Sequence, residues 1–387
     1  MAEGTVQGPC AGVRVVEIAR YVSGPFAGQI LADLGAEVIK IEDPGGDVMR
    51  HATPAHNGLA GPFEVYNRGK KSFVANMRSP EGLAAVRQLI CGADVLLDNF
   101  RPGVLEKMGL DYESLRKANP RLIYAKVSGF GESGPYADRP VFDQVIQGVV
   151  GQMVELGGDG PPKAINTYVV DKVTAILTSH AILAALLHRE HTGEGQKVST
   201  NLLDSYAAFM LPEMLMDRTF LAAEPPKGRR PDFFRTLATA DGHVIGLLLL
   251  DNHYRSFCTL VGREDLAQDP RFAEAGARSP NMDLLFELVG ADVARISTDE
   301  FVARAAELDV PFARVNSVED LLSDPQALHN QTIVEFDDPE FGRIRHANYP
   351  AKFERSPANA RRRAPKFGEH TEALMAELRE GAVQPGE

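Results

Sequence analysis

Short apolar runs alternating with helical patterns organise the first third of the chain. Residues 13–18, 36–41, 72–76, 94–98 and 122–127 each read as a strand, built mainly from Val, Ile, Leu, Phe or Tyr. A helix at residues 26–34 is closed by Gly35. Another at 81–90 is introduced by Ser79 and Pro80, a capping residue and a first-turn proline. Shorter helices are expected around 104–108 and 112–117. This alternation predicts a Rossmann-like α/β domain, a mostly parallel sheet with helices on both faces. Ligands in such folds bind beyond the carboxyl ends of the strands. The loops there are 21–23, 76–78, 99–101 and 128–131.

Midway along the chain, Val173, Ile176, Leu177, Ile182, Leu183 and Leu187 recur near helical spacing. Asp171 therefore falls at or just before a first helical turn. Free backbone N–H groups and the positive end of the helix dipole favour an ionised carboxylate at that point. Two roles fit: a helix cap, which is the common one, or a nucleophile held in its charged form. A strand at 196–202 and a helix at 204–216 follow. The run Glu224-Pro225-Pro226-Lys227-Gly228-Arg229-Arg230-Pro231 then breaks the composition as a linker would. Beyond it, a strand at 243–249 and helices at 254–261, 282–289 and 298–307 predict a smaller α+β domain. The basic Arg361-Arg362-Arg363 and a helix at 369–378 mark the tail. The expected division is 1–220, 221–320 and a C-terminal segment 321–387.

Composition narrows the function classes. With 44% hydrophobic and 24% charged residues over 387 positions, the chain reads as globular and soluble. A net charge of -12 argues against nucleic-acid binding, yet leaves room for an anionic ligand gripped by a few local Arg and Lys. Cys10, Cys91 and Cys258 make no metal or redox pattern and fit reduced thiols in a cytoplasm. No uninterrupted apolar run approaches the roughly 18 residues of a membrane span. The Met-Ala-Glu-Gly-Thr start lacks the regions of a signal peptide. A cytoplasmic protein away from membranes is expected.

Two basic clusters stand out: Arg68-Gly69-Lys70-Lys71 through Arg78, and Arg101 with Lys107. Solvated surface is the ordinary place for a single Lys. Arg78 and Arg101 follow strands at the ligand-facing end, where they can pair with phosphates. Phe100 and Phe130 can stack on a base, although the core is the usual fate of Phe. Gly129-Phe130-Gly131-Glu132-Ser133-Gly134 matches the dinucleotide pattern GxGxxG, but Pro135 and Pro140 prevent the helix that must open directly after it. The loop is expected to bring backbone close to some ligand other than NAD. His188 and His191 suit a helix C-terminus better than a metal. No HExxH, Ser-His-Asp or nucleophile-elbow pattern occurs.

Over nearly all its length the chain resembles the family III CoA-transferases, the group containing formyl-CoA:oxalate and carnitine CoA-transferases and the α-methylacyl-CoA racemases. The resemblance is carried, in order, by Gly12-Val13-Arg14-Val15-Val16-Glu17, Gly24-Pro25, Leu34-Gly35-Ala36-Glu37-Val38-Ile39-Lys40-Ile41-Glu42 and Asn67-Arg68-Gly69-Lys70-Lys71-Ser72. It continues through Asp98-Asn99-Phe100-Arg101-Pro102-Gly103, Met108-Gly109, Gly129-Phe130-Gly131 with Gly134-Pro135-Tyr136, Thr192-Gly193-Glu194-Gly195-Gln196 and Gly368-Glu369-His370-Thr371.

The resemblance implies an interlocked homodimer, and a C-terminal segment that returns to the large domain. It implies Asp171 as the catalytic carboxylate. It places CoA contacts at Val22, Ser23, Asn76, Met77, Arg78, Asn99, Phe100, Arg101, Lys107, Ser128, Gly129, Phe130 and Gly131. Acyl-CoA and a carboxylic acid would be the substrates, with no permanently bound cofactor and no metal. Asp43 and Ser128 stand where the formyl-CoA enzyme has an arginine and a lysine, and its glycine-rich active-site loop has no counterpart, so oxalate chemistry is not implied. The racemase branch has a histidine where Phe142 precedes Asp143. Phe142 cannot exchange a proton, which favours CoA transfer. The other readings are a racemase or epimerase pairing Asp171 with Asp143 or Glu155, and a non-catalytic acyl-CoA-binding protein.

Overall fold

The computed structural model describes residues 8–222, 224 and 234–381. The chain divides into two units: one runs to Thr219 and resumes at His329, the other spans Phe220–Leu328. The first is built on a six-stranded sheet of β1 (Arg14–Ile18), β2 (Glu37–Glu42), β3 (Lys71–Val74), β4 (Val95–Asp98), β5 (Ile123–Ser128) and β6 (Lys197–Asn201). Their spatial order is β3-β2-β1-β4-β5-β6, and every pairing is parallel. The α/β class with a large parallel sheet is as the sequence predicts. Near-complete burial of β1, β2, β4 and β5 explains why they read as apolar runs. The order reverses between β1 and β4, whose ends pair as Ile18 with Asp98. Reversal opens a crevice outside the carboxyl ends of those two strands.

Helices α1 (Ser23–Asp33), α2 (Pro80–Cys91), α3 (Asp143–Val149), α4 (Val169–Thr192) and α5 (Leu202–Met214) flank the sheet. The Ser79 hydroxyl accepts the Gly82 N–H at 3.1 Å to start α2, with Pro80 in its first turn. The turn α3 and the helix Gln152–Gly157 occupy a stretch for which the pattern predicts no element. At 24 residues, α4 is long and apolar enough to cross a membrane by length and composition, which qualifies the expectation that no such segment exists. Lys172, Ser179 and His180 interrupt the apolar run in the sequence without ending the helix. Half of its most apolar window is buried within the protein. It packs against α1 and α5 as the crossover from β5 to β6. Thr174 and Thr178 donate to the carbonyls of Val170 and Thr174, so even its polar groups are satisfied along the helix.

The Arg68–Lys71 cluster departs from its expected place in solvent. Lys70 is fully buried, its ammonium 2.7 Å from Glu17 Oε2, 2.8 Å from the Pro25 carbonyl and 2.9 Å from Asn67 Oδ1. The other Glu17 oxygen lies 3.1 Å from Lys40 Nζ, which also meets Asp47 at 2.8 Å. Arg68 is buried against Asp33 at 2.7 Å. Each charge has a carboxylate from a neighbouring element, and that pairing offsets its desolvation. Only Lys71 stays near the surface, paired with Glu37.

The tail rejoins the first unit through an antiparallel pair, Ile333–Asp338 with Gly342–Ala347, and then α6 (Thr371–Gly381), which packs on α2 and β3. The Gly368 N–H donates to Ser72 Oγ at 2.9 Å and the His370 N–H to the Ser72 carbonyl at 3.1 Å. The second unit ends at Leu328 rather than 320, because the Ser317-capped helix Val318–Ser323 continues from its edge strand before the chain returns. That unit holds a three-stranded antiparallel sheet, Leu237–Ala238, His243–Gly246 and Phe312–Arg314. Helices Asp251–Val261, Met282–Val293 and Thr298–Glu307 cover a core that includes Tyr254, Phe257, Phe286 and Phe301. Apart from Glu224, the expected linker lies outside the described residues, as does the N-terminal start.

Candidate active site

A cavity of about 320 Å³ opens in the crevice where β1, β4 and β5 end. Tyr21 and Ser23 line it from the turn after β1, and Asn99, Phe100, Arg101 and Pro102 from the turn after β4. Val127, Ser128 and Gly129 reach it from β5, Ala137, Arg139, Val141 and Phe142 from the loop beyond, and Asp171 and Leu202 from the starts of α4 and α5. Asn99 ties the first two turns together, accepting the Arg20 N–H at 2.9 Å and donating to the Arg20 carbonyl at 2.8 Å. Asp98 anchors the second turn from beneath, bonded to the Phe100 N–H at 2.7 Å and to the buried Lys126 ammonium at 2.6 Å.

Asp171 lies in the first turn of α4, as its spacing predicts, but it is not the cap. No side chain caps from the position before the helix. Instead Asp143 Oδ2 accepts the Asp171 N–H at 3.1 Å, while Asp143 Oδ1 accepts Gln147 Nε2 at 2.6 Å. Among the described residues no lysine or arginine pairs with Asp171. Burial, reinforced by the charge of Asp143, pushes its carboxyl up to about 7, and a hydrogen bond from Ser23 holds it down. A nucleophilic carboxylate must be ionised, so activity should rise with pH through about 7. Ser23→Ala removes a donor to the charged form and should move that acid limb to higher pH. A kcat/KM profile whose limb stays put would exclude this link.

Of the residues expected to meet CoA, the structure brings Ser23, Asn99, Phe100, Arg101, Ser128 and Gly129 to one cavity with Asp171. Val22 does not line it: its side chain is buried at the start of α1. Met77 packs on the core beside Phe100 and Met108. Asn76, Arg78 and Lys107 are exposed outside the cavity. Phe130 turns to the cluster around Tyr206, and Gly131 takes a left-handed turn (φ 103°). The expected close approach of backbone in this loop is to protein: a Cβ on Gly129 would sit 2.0 Å from Val141 Cγ1. Tyr21 belongs to the ligand-facing loop 21–23 expected from the strand ends, whereas Arg139, Val141 and Leu202 were not singled out by the sequence. Tyr21 also adopts a left-handed φ of 65°, uncommon for a bulky residue. Asp43, where a phosphate contact was in question, pairs instead with Arg20. No group of three or more His, Cys, Asp or Glu able to hold a metal occurs among the described residues.

The model of CoA-transferase family III matches residues 10–371, and the chain belongs to that family. It is therefore an acyl-CoA:carboxylate CoA-transferase. Its relatives include the succinate–glutarate CoA-transferase of Agrobacterium fabrum, 36% identical over 96% of both chains. The succinyl-CoA–D-citramalate CoA-transferase of Chloroflexus aurantiacus is 34% identical over 96% of this chain and 94% of its own. A CAIB/BAIF family protein from Brucella suis has a crystal structure that superposes with a TM-score of 0.84 at 36% identity, covering 96% of this chain and all of its own.

Proposed function

We propose that the enzyme moves CoA between short dicarboxylic acids through a covalent intermediate on Asp171. The observation that carries this is an unpaired carboxyl, held near neutrality, facing a cavity at the strand reversal. The Asp171 carboxylate attacks the thioester carbonyl, the C–S bond breaks, and a mixed anhydride and the CoA thiolate result. The thiolate attacks the aspartyl carbonyl and expels the donor acid, leaving an enzyme–CoA thioester. An acceptor carboxylate then repeats the sequence in reverse order. Covalent catalysis of this kind divides one difficult exchange into easier steps. Backbone N–H groups of the Gly129–Gly131 loop would stabilise the developing oxyanion.

CoA would enter over Asn99, Phe100, Arg101, Ser128 and Gly129. The exposed Asn76, Arg78 and Lys107, at the same edge of the sheet, would take its phosphates. The substrate class rests on the relatives, both named for dicarboxylic acids. Racemisation lacks a second base: Asp143 is 1% exposed with both oxygens engaged, Phe142 has no proton to exchange, and Glu155 lies outside the cavity. Incubation with an acyl-CoA, then digestion and mass measurement, should find an acyl or CoA mass on the Asp171 peptide. Solvent deuterium entering the α-carbon without CoA transfer would select the racemase instead.

An interlocked homodimer is part of the same proposal. It is supported by apolar side chains left in solvent on α4 and just beyond α5, among them Leu187 (61% exposed) and Met216 (65%). Threaded subunits should not exchange: tagged and untagged dimers mixed for hours at assay temperature should yield no mixed dimer. Rapid appearance of mixed dimers would rule out interlocking.

A further inference from the structure

We infer that Arg139 holds the far carboxylate of a dicarboxylic substrate, and so sets the preference for dicarboxylic over monocarboxylic acids. This rests on Asp171-based transfer and assigns its specificity to one side chain. Two guanidinium groups line the cavity, Arg101 and Arg139, and neither has a carboxylate partner among the described residues. By contrast Arg20, from the turn after β1, is ion-paired with Asp43. Arg101 follows β4 on the edge proposed for CoA. Arg139 comes from the loop between β5 and α3, to which no phosphate contact is assigned.

The Arg139 guanidinium is also held in a definite pose. Its central carbon lies 3.7 Å from the centroid of the Tyr136 ring. Tyr136 in turn packs edge-on against Phe130, with centroids 5.5 Å apart at 74°. The Arg139 N–H closes the turn on the Tyr136 carbonyl at 3.0 Å. Stacking occupies a face of the guanidinium and leaves its N–H edges free. Those edges match a carboxylate two bonds at a time, and a guanidinium fixed beforehand loses little freedom in making them. Asp171 and Arg139 reach the cavity from different elements, the first turn of α4 and the loop before α3. A dicarboxylic acid carries a short carbon chain between its two carboxylates. Tyr21 and Phe142, edge to face at 5.6 Å, supply an apolar wall for its methylenes.

The test is competition. With propionyl-CoA as donor, wild type, Arg139→Lys and Arg139→Met are each offered succinate and butyrate, two four-carbon acids differing by one carboxylate. The succinate-over-butyrate ratio of kcat/KM should fall about 100-fold in Arg139→Met, chiefly through KM for succinate, and about 10-fold in Arg139→Lys, which keeps charge but loses the fork. An unchanged ratio, or equal loss for both acids in the two variants, overturns the assignment. The Asp171 adduct separates the two levels of failure. If wild type forms it and the ratio does not move, only Arg139 is misassigned; if wild type forms no adduct and transfers to neither acid, the transfer reading falls and takes this inference with it.

Discussion

Asp171→Ala should lower CoA transfer by about 10⁴-fold or more, since loss of a covalent nucleophile removes the pathway itself. Asp171→Asn should do the same, because an amide neither attacks a thioester nor accepts CoA. Both should still bind acyl-CoA, and neither should acquire mass on the Asp171 peptide. A variant retaining a tenth of wild-type turnover would end the proposal. The same substitution has a second, opposite consequence for stability. A carboxyl held at about 7 in the folded protein and near 3.9 in the unfolded chain favours the fold only while protonated. Its contribution is complete below the unfolded value and is lost as pH rises through about 7. Asp171→Asn escapes that loss, so it should melt above wild type at pH 8, by an amount on the order of 1–3 kcal/mol. At pH 4 the difference should nearly vanish. Equal melting shifts at both values would show that the site is less desolvated than its surroundings imply.

Glu17→Ala should be the most damaging of the simple core substitutions. Glu17 is completely buried and bridges two buried ammonium groups, Lys40 and Lys70. Burial holds Lys70 down at about 8 even with this partner in place. Removing one member of such a network costs about 3–5 kcal/mol, because the remaining charges stay desolvated. Gly28→Ala should act through the same group, since its Cβ would fall 2.0 Å from Glu17 Oε2. A fall in melting temperature of roughly 5–10 °C is expected for Glu17→Ala. Catalysis in the surviving folded fraction should be largely retained, because none of these groups lines the cavity. A shift under about 2 °C would mean water replaces the missing carboxylate.

The parts of this molecule legible in its sequence are those governed by local pattern. Strands β1 to β5 and helices α2 and α4 announced themselves by apolar runs, a Ser-Pro start and helical spacing. Asp171 was placed in its turn for the same reason. Strand order was not legible, because it depends on which loops cross which face. The stretch between Gly134 and Asn166 has prolines and glycines without periodicity, so α3, Arg139 and the wall at Phe142 gave no signal of their fold. The Arg68–Lys71 cluster misled for a related reason. A basic run looks like surface unless the carboxylates that bury it are known, and Asp33 and Glu17 lie 35 and 53 positions away. Likewise Asp143, weighed in the sequence as a possible second base, instead accepts the Asp171 N–H once α3 is formed.

That last placement bears on how one side chain can serve both halves of an exchange. An acid in a first helical turn commonly folds back onto its own backbone and is fixed there. Asp143, 28 residues upstream, takes over the anchoring of the Asp171 N–H. The Asp171 carboxyl itself is left with a hydrogen bond from Ser23 and, among the described residues, no ion-pair partner. The double displacement proposed for Asp171 would require this: the group would first offer an oxygen lone pair, then turn its flat carbonyl face toward sulfur. Backbone fixed, headgroup loose, is the mechanical condition for playing attacker and target in succession.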